Sequence, residues 1–363
     1  MTRDKRSIRN CQEPRHSNIE LLRIISMFLV LIVHADFWSL GRPTSLDMQI
    51  TPLASYTRFF IESLAIVCVN IFVLISGWFG INPSVKSFSK FAFQCLFFLT
   101  GHFVVRLVIG ESYLNLKGIV RHFCLLSDYW FIKSYVGLYI LAPILNAFVK
   151  VANKIQMKSL LIVFFLYQTI YGWFGAADFF ANGYSTMSFM GLYMLGRYLN
   201  VYGKIQTSRP IPPFVWICIY MTCCITNTIL APIISFLNIY SYLSPLVILA
   251  SVSIFLVFSN LKMKTYKIIN WIAASCFAIY LFHVDQGGIG NVFRQTIAAI
   301  YSSTSGILCI VEIGLFLVGV SVIAIMLDQI RILLWNLISN MIERLILKYK
   351  KAAPIWEYRF DSK

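Results

Sequence analysis

Apolar runs separated by short polar segments repeat along the whole chain. A helix needs about 20 predominantly apolar residues to cross the hydrocarbon core of a bilayer. The pattern predicts about ten membrane-spanning helices, at residues 19–40, 58–81, 88–109, 129–149, 159–175, 185–202, 214–230, 242–259, 268–284 and 306–334. We therefore expect an all-α polytopic membrane protein that folds as a single bundle.

The composition supports this class, because 58% of the 363 residues are hydrophobic and only 13% are charged. A soluble globular domain is typically about 45–50% apolar and about 25% charged. The net charge of +16 raises the question of a nucleic-acid partner, but the lysines and arginines lie mainly in the tails and in short loops. There they set membrane topology and contact anionic head groups. Membrane lipids are therefore expected as partners, and nucleic acid is not.

The placement of the basic residues also predicts an orientation. Cytoplasmic segments carry an excess of lysine and arginine, and here the excess lies in the two tails and in alternate loops. Both termini are therefore expected in the cytoplasm, with a basic tail at 1–18, a transmembrane domain at 19–334 and a second basic tail at 335–363. Nine cysteines are present, but no pair has the spacing of a zinc or redox site, so no metal is predicted.

Two ionisable residues, which are energetically unfavourable inside a membrane, lie in the first apolar run. Arg23 and His34 are eleven residues apart, and eleven helical steps return to within roughly 20° of the start, so both side chains lie on one face. They are about 16 Å apart along the axis, with Arg23 near the cytoplasmic side and His34 in the outer third. Ionisable residues inside a membrane helix are functional-site hypotheses by default.

Further ionisable side chains are predicted at the same outer level as His34. Some have a plain structural alternative: Arg106 and Lys133 can extend to the outer interface, and His283 can anchor there. A carboxylate at this depth is harder to explain, because it is costly unless it is paired or faces water. The set consists of Glu62, His102, Arg106, Lys133 and His283.

These residue types fit one kind of chemistry. Histidine is the natural general base near neutral pH, and it can deprotonate a hydroxyl that then attacks a thioester. A neighbouring carboxylate can fix the tautomer of the ring and stabilise its cation. On the cytoplasmic side, Arg23 with Lys86 and Lys90 can bind the phosphate groups of a donor that does not cross the membrane. For the two lysines, topology alone is an alternative explanation.

The first run, read as Arg-x10-His from Arg23 to His34, resembles the first span of acyltransferase family 3. Members of this family are integral-membrane O-acyltransferases that acylate bacterial surface polysaccharides. Residues 70–80, residues 279–283 (Ile-Tyr-Leu-Phe-His) and the region from Trp130 to 146 resemble further elements of that family. One departure is the loop after the second run, which carries Lys86 and Lys90 where many members have several arginines.

The resemblance implies acetyl-CoA, or a related acyl-CoA, as a co-substrate that enters from the cytoplasm, with no permanently bound cofactor. The acceptor would be a sugar hydroxyl of a lipid-linked or surface polysaccharide at the outer face of the bacterial cytoplasmic membrane. Arg23 would bind the donor, with Lys86 and Lys90 beside it, and His34 would act as base or as a transient acyl carrier. Supporting roles would fall to His283 and Glu62, and the acceptor side to His102, Arg106 and Lys133.

A transporter or flippase for a polyprenyl-linked sugar is the alternative. Its polar side chains would line a translocation path instead of a reaction centre. The Arg23–His34 register favours the enzyme, because translocation does not require that spacing.

Overall fold

The computed structural model describes residues 16–111, 115–124, 129–203, 211–234, 236–285 and 287–352. The basic tail residues before His16, and residues 353–363 of the C-terminal tail, lie outside the described residues. Within these ranges the chain is all-helical and contains no strand, which confirms the predicted all-α class.

Fifteen α-helices make up the described part of the chain. Two of them, α1 and α8, continue into π-helical turns at His34–Trp38 and Gln168–Phe174. The helices are α1 Ser17–Val33, α2 Ser45–Ile50, α3 Pro52–Ala65, α4 Cys68–Phe79, α5 Val85–Val108, α6 Leu116–Phe123, α7 Trp130–Val151, α8 Lys154–Tyr167, α9 Thr186–Gly203, α10 Pro213–Ile233, α11 Pro245–Ser259, α12 Lys267–Ala274, α13 Cys276–His283, α14 Gly288–Ser303 and α15 Gly306–Ala352.

Seven helical segments among the described residues are long and apolar enough to cross a membrane. Each coincides with one of the predicted runs, so the chain is a membrane protein. The segments are Ser17–Trp38, Pro52–Phe79, Val85–Val108, Trp130–Val151, Lys154–Phe174, Pro213–Ile233 and Gly306–Leu345.

The other three predicted runs are also helical but less regular. Helix α9 covers the run at 185–202, and α11 is apolar but only 15 residues long. The run at 268–284 forms α12 and α13, and the segment Lys267–His283 is bent by 87° against α14.

The last helix is longer than the hydropathy pattern indicates. The hydropathy pattern predicts that the final run ends at residue 334. Helix α15 instead extends to Ala352 and is 47 residues long. Its sequence contains neither glycine nor proline after Gly319, so nothing local ends the helix where the apolar side chains become sparse. Hydropathy identifies the part of a helix that fits lipid, and a helix can continue beyond that part.

Helix α1 lies at the centre of the bundle, in contact with α3, α4, α12 and α13. Small residues allow α4 and α9 to pack closely, since a Cβ at Gly77 would lie 2.2 Å from the Tyr193 carbonyl oxygen. A Cβ at Gly196 would lie 2.4 Å from the carbonyl oxygen of Leu74. Close backbone approach through small residues is the usual way for membrane helices to associate. Helix α4 also packs against α1, and residues of both helices line the site.

Candidate functional site

His34 begins a π-helical turn that covers His34–Trp38. The Ser39 hydroxyl donates a hydrogen bond to the His34 carbonyl oxygen at 2.6 Å, which satisfies an acceptor near the irregular turn. Next to α1, the second span is also interrupted, between Ala65 and Cys68, where α3 ends and α4 begins. Single π-turns within α-helices occur frequently at functional sites. Both irregularities border the same cavity, which is lined by His34 and Cys68.

The His34 ring is hydrogen-bonded to His283, 249 residues later in the chain. His34 Nδ1 lies 2.7 Å from His283 Nε2, and His283 Nδ1 lies 2.6 Å from the Ile279 carbonyl oxygen. A carbonyl oxygen only accepts, so His283 Nδ1 must carry its proton. In neutral His283 the Nε2 atom is then the acceptor, and His34 Nδ1 donates to it. His34 Nε2 therefore holds the unshared electron pair, which is the requirement for a general base.

A small cavity of about 40 Å³ lies beside His34. Apart from the imidazole, its walls are mainly aliphatic and aromatic, and they come from four helices and the segment before α11. The other lining residues are Met27, Val30, Val33, Cys68, Val69, Phe72, Trp130, Phe131, Tyr242, Phe277 and Tyr280. A base in such a wall acts in surroundings of low dielectric, where charge interactions are stronger than in water.

Arg23 lies on the face of α1 that leads to this cavity. Met27 and Val30 lie between Arg23 and His34 at helical spacing, and both line the cavity. The Arg23 guanidinium is 3.0 Å from the Glu20 carboxylate, and the Arg23 side chain is 30% exposed. Arg23, a partly exposed cation, and His34, a candidate base in the cavity wall, thus lie along one face of α1. We call these two levels of the bundle the Arg23 end and the His34 end.

The other predicted donor-side cations are more exposed. Lys86 forms an ion pair of 3.1 Å with Glu343 of α15, and both side chains are largely exposed. Lys90 is exposed on α5. Arg197 is a further cation, not predicted from the sequence, and its guanidinium lies against Gly80 at the end of α4. Its Nε atom is buried with no hydrogen-bond partner among the described residues.

Glu62 is 2% exposed, and among the described residues its Oε2 atom has no hydrogen-bond partner. Its charged neighbours are Asp36 and Arg58, which form an ion pair of 2.5 Å. Thus the group that bonds to the His34 ring is His283, and Glu62 belongs to a neighbouring acidic cluster. Sequence reasoning missed Asp36, although a carboxylate two residues after His34 in an apolar run was a visible signal.

A second polar cluster lies between α5 and the C-terminal end of α13. His102 Nε2 donates to the Leu281 carbonyl oxygen at 2.8 Å, and His102 Nδ1 lies 3.7 Å from the Asp285 carboxylate. Arg106 bonds to both carboxylate oxygens of Asp285, with Nε at 3.0 Å from Oδ2. His102 and Arg106 therefore lie together, and the residues that they contact, Leu281 and Asp285, are each two positions from His283 in the chain. Lys133 is exposed on α7.

The tautomer-fixed imidazole of His34 beside an apolar cavity is the candidate site of this helical bundle. Comparison with protein families identifies the kind of enzyme, because the acyltransferase domain of acyltransferase family 3 matches residues 16–327. The chain belongs to acyltransferase family 3, and it is a membrane acyltransferase. Comparisons with curated proteins and with solved structures gave no significant match.

Proposed function

We propose that this acyltransferase transfers an acyl group, in the first place acetyl, from cytoplasmic acyl-CoA to a sugar hydroxyl of a lipid-linked or surface polysaccharide. The acceptor lies at the outer face of the bacterial cytoplasmic membrane. The observation that carries the proposal is the His34–His283–Ile279 hydrogen-bond chain, which leaves the unshared pair of His34 Nε2 available as a base.

The chemistry follows from that base. His34 Nε2 takes the proton of the sugar hydroxyl as its oxygen attacks the thioester carbonyl carbon. The tetrahedral intermediate collapses, the carbon–sulfur bond breaks, and the thiolate of the donor takes the proton from His34. The products are an O-acyl sugar and the free thiol, and the enzyme is regenerated. His283 stabilises the His34 cation during this cycle, because its Nε2 accepts from the ring.

The proposal includes an arrangement in the membrane. Ten spans are obtained when α9, α11 and the α12–α13 pair join the seven long apolar segments. An even number of spans agrees with basic tails at both ends and with cytoplasmic termini. The Arg23 end then faces the cytoplasm, where the donor is, and the His34 end is closer to the outer surface.

Transfer from a cytoplasmic donor is tested in inverted membrane vesicles that contain the full chain and native lipid-linked glycan. We expect radiolabelled acetyl groups from added acetyl-CoA to appear as base-labile esters on the glycan. Vesicles with His34→Gln at equal abundance serve as the matched control. Glycan that moves across the membrane without acquiring label would contradict the proposal and favour the flippase alternative.

Arg23 is proposed to bind phosphate groups of the donor. Replacing Arg23 with glutamine is expected to raise the KM for acetyl-CoA about tenfold and to change kcat little, because a charge-assisted contact outside the reaction centre is lost. Glutamine can still hydrogen-bond to Glu20, which limits structural damage. Arg23→Lys, which keeps the charge, should be affected less. Steady-state kinetics in the same vesicles make the comparison, and an unchanged KM in Arg23→Gln would remove this role.

A further inference from the structure

Four aromatic side chains from α4, α7 and α13 form part of the cavity wall. Phe131 lies 6.5 Å from Phe72 and 6.3 Å from Phe277, and Phe277 lies 5.8 Å from Tyr280, all between ring centroids. All four residues line the cavity. We call these four residues, Phe72, Phe131, Phe277 and Tyr280, the ring wall.

Further aromatic side chains, which do not line the cavity, pack against the ring wall. Phe277 stacks on Phe91 of α5 at 5.5 Å, and Phe131 stacks on Tyr135 at 5.8 Å. Phe189 of α9 also contacts Phe131, at 5.5 Å. Tightly packed interiors tolerate added volume poorly, because extra methylenes force side chains out of their preferred rotamers. The wall is therefore a fixed boundary, not a soft surface.

Because His34 lines the cavity, the volume of the cavity limits the group that can be placed beside this residue. The cavity is small, at about 40 Å³, when a single water molecule already requires roughly 10–15 Å³. An acetyl group has three non-hydrogen atoms: the methyl carbon, the carbonyl carbon and the oxygen. A butyryl group adds two methylenes, and these would meet the ring wall.

We propose that the ring wall determines which acyl group is transferred, by restricting the donor to acetyl. The proposal rests on the acyl-CoA donor proposed above and adds the residues that set chain length. With the thioester carbonyl beside His34, the methyl group occupies the cavity and longer chains are excluded sterically. Phe277 and Phe72 are then specificity-determining residues, and the bond-making chemistry stays with His34.

The test is a comparison of acetyl-, propionyl- and butyryl-CoA as donors in the inverted vesicles. For the wild type, kcat/KM is expected to fall about 10- to 200-fold for each added methylene. In Phe277→Ala, and separately in Phe72→Ala, the butyryl-to-acetyl ratio of kcat/KM should rise at least about tenfold. A ratio of two rates within one variant is independent of how much active protein that variant yields.

Phe282→Ala is the matched control. Phe282 is on the same helix as Phe277 and packs against the core without lining the cavity, so its variant should keep the wild-type ratio. Acetyl transfer by the wild type with unchanged ratios in both cavity variants would overturn the inference and leave the proposed function intact. The same holds if the wild type uses butyryl-CoA as well as acetyl-CoA. No transfer from any acyl-CoA would overturn both.

Discussion

Replacing His34 with glutamine is expected to lower kcat for acyl transfer by about 10²- to 10⁴-fold, the usual contribution of a general base. Glutamine is similar in length to histidine and can still hydrogen-bond to His283, but it cannot take a proton from a sugar hydroxyl. The loss should appear in kcat more than in the KM for the donor. The labelled-acetyl assay measures both, with protein abundance in the membrane as the reference.

His122 provides a matched control for the loss of an imidazole. It is buried, and its Nε2 donates to the Leu99 carbonyl oxygen at 2.8 Å, between α6 and α5. His122→Gln should therefore keep most of the activity. His283→Leu should lower kcat as well, but less than His34→Gln, because it removes the acceptor for His34 Nδ1 and leaves the base in place. Full activity in His34→Gln would refute the mechanism.

The largest effect on stability is expected for Asp285→Ala. Asp285 is fully buried and binds Arg106 through both carboxylate oxygens. Removing one partner of a buried ion pair typically costs about 3–5 kcal/mol, because the remaining charge loses a compensating group. The free energy of unfolding, measured by denaturation in detergent, should fall by about this amount.

A double variant distinguishes loss of the pair from general damage at this position. Arg106→Met combined with Asp285→Ala removes both charges, so it should be more stable than Asp285→Ala alone. Arg106 is also the partially exposed member, with a side chain 17% exposed, which keeps the cost of its replacement moderate. If the double variant were less stable than Asp285→Ala alone, the ion pair would not account for the role of Asp285.

Periodicity along one helix could be predicted from the sequence. The common face of Arg23 and His34 follows from helical geometry alone, and the positions of Met27 and Val30 at the cavity agree with it. The helical class and the seven long spans follow from hydropathy in the same way. Each of these properties depends on residues that are close in the chain.

Contacts between distant segments could not be predicted in this way. The His34–His283 bond joins residues 249 positions apart, and nothing in a single sequence indicates which polar groups at one depth meet. Glu62 and His283 were equal candidates for orienting His34, and only the packing of α13 against α1 separates them. The π-turn at His34–Trp38 could not be predicted either, because neither glycine nor proline marks it in the sequence.

The length of α15 gives the two faces of the protein different shapes. At 1.5 Å per residue its 47 residues extend about 70 Å, whereas a bilayer with its head groups is about 40–45 Å thick. Because Glu343 near the C-terminal end of α15 contacts Lys86 at the start of α5, the excess length lies at the Arg23 end of the bundle. In the proposed orientation, α15 therefore extends beyond the bilayer on the cytoplasmic side, next to the start of α5.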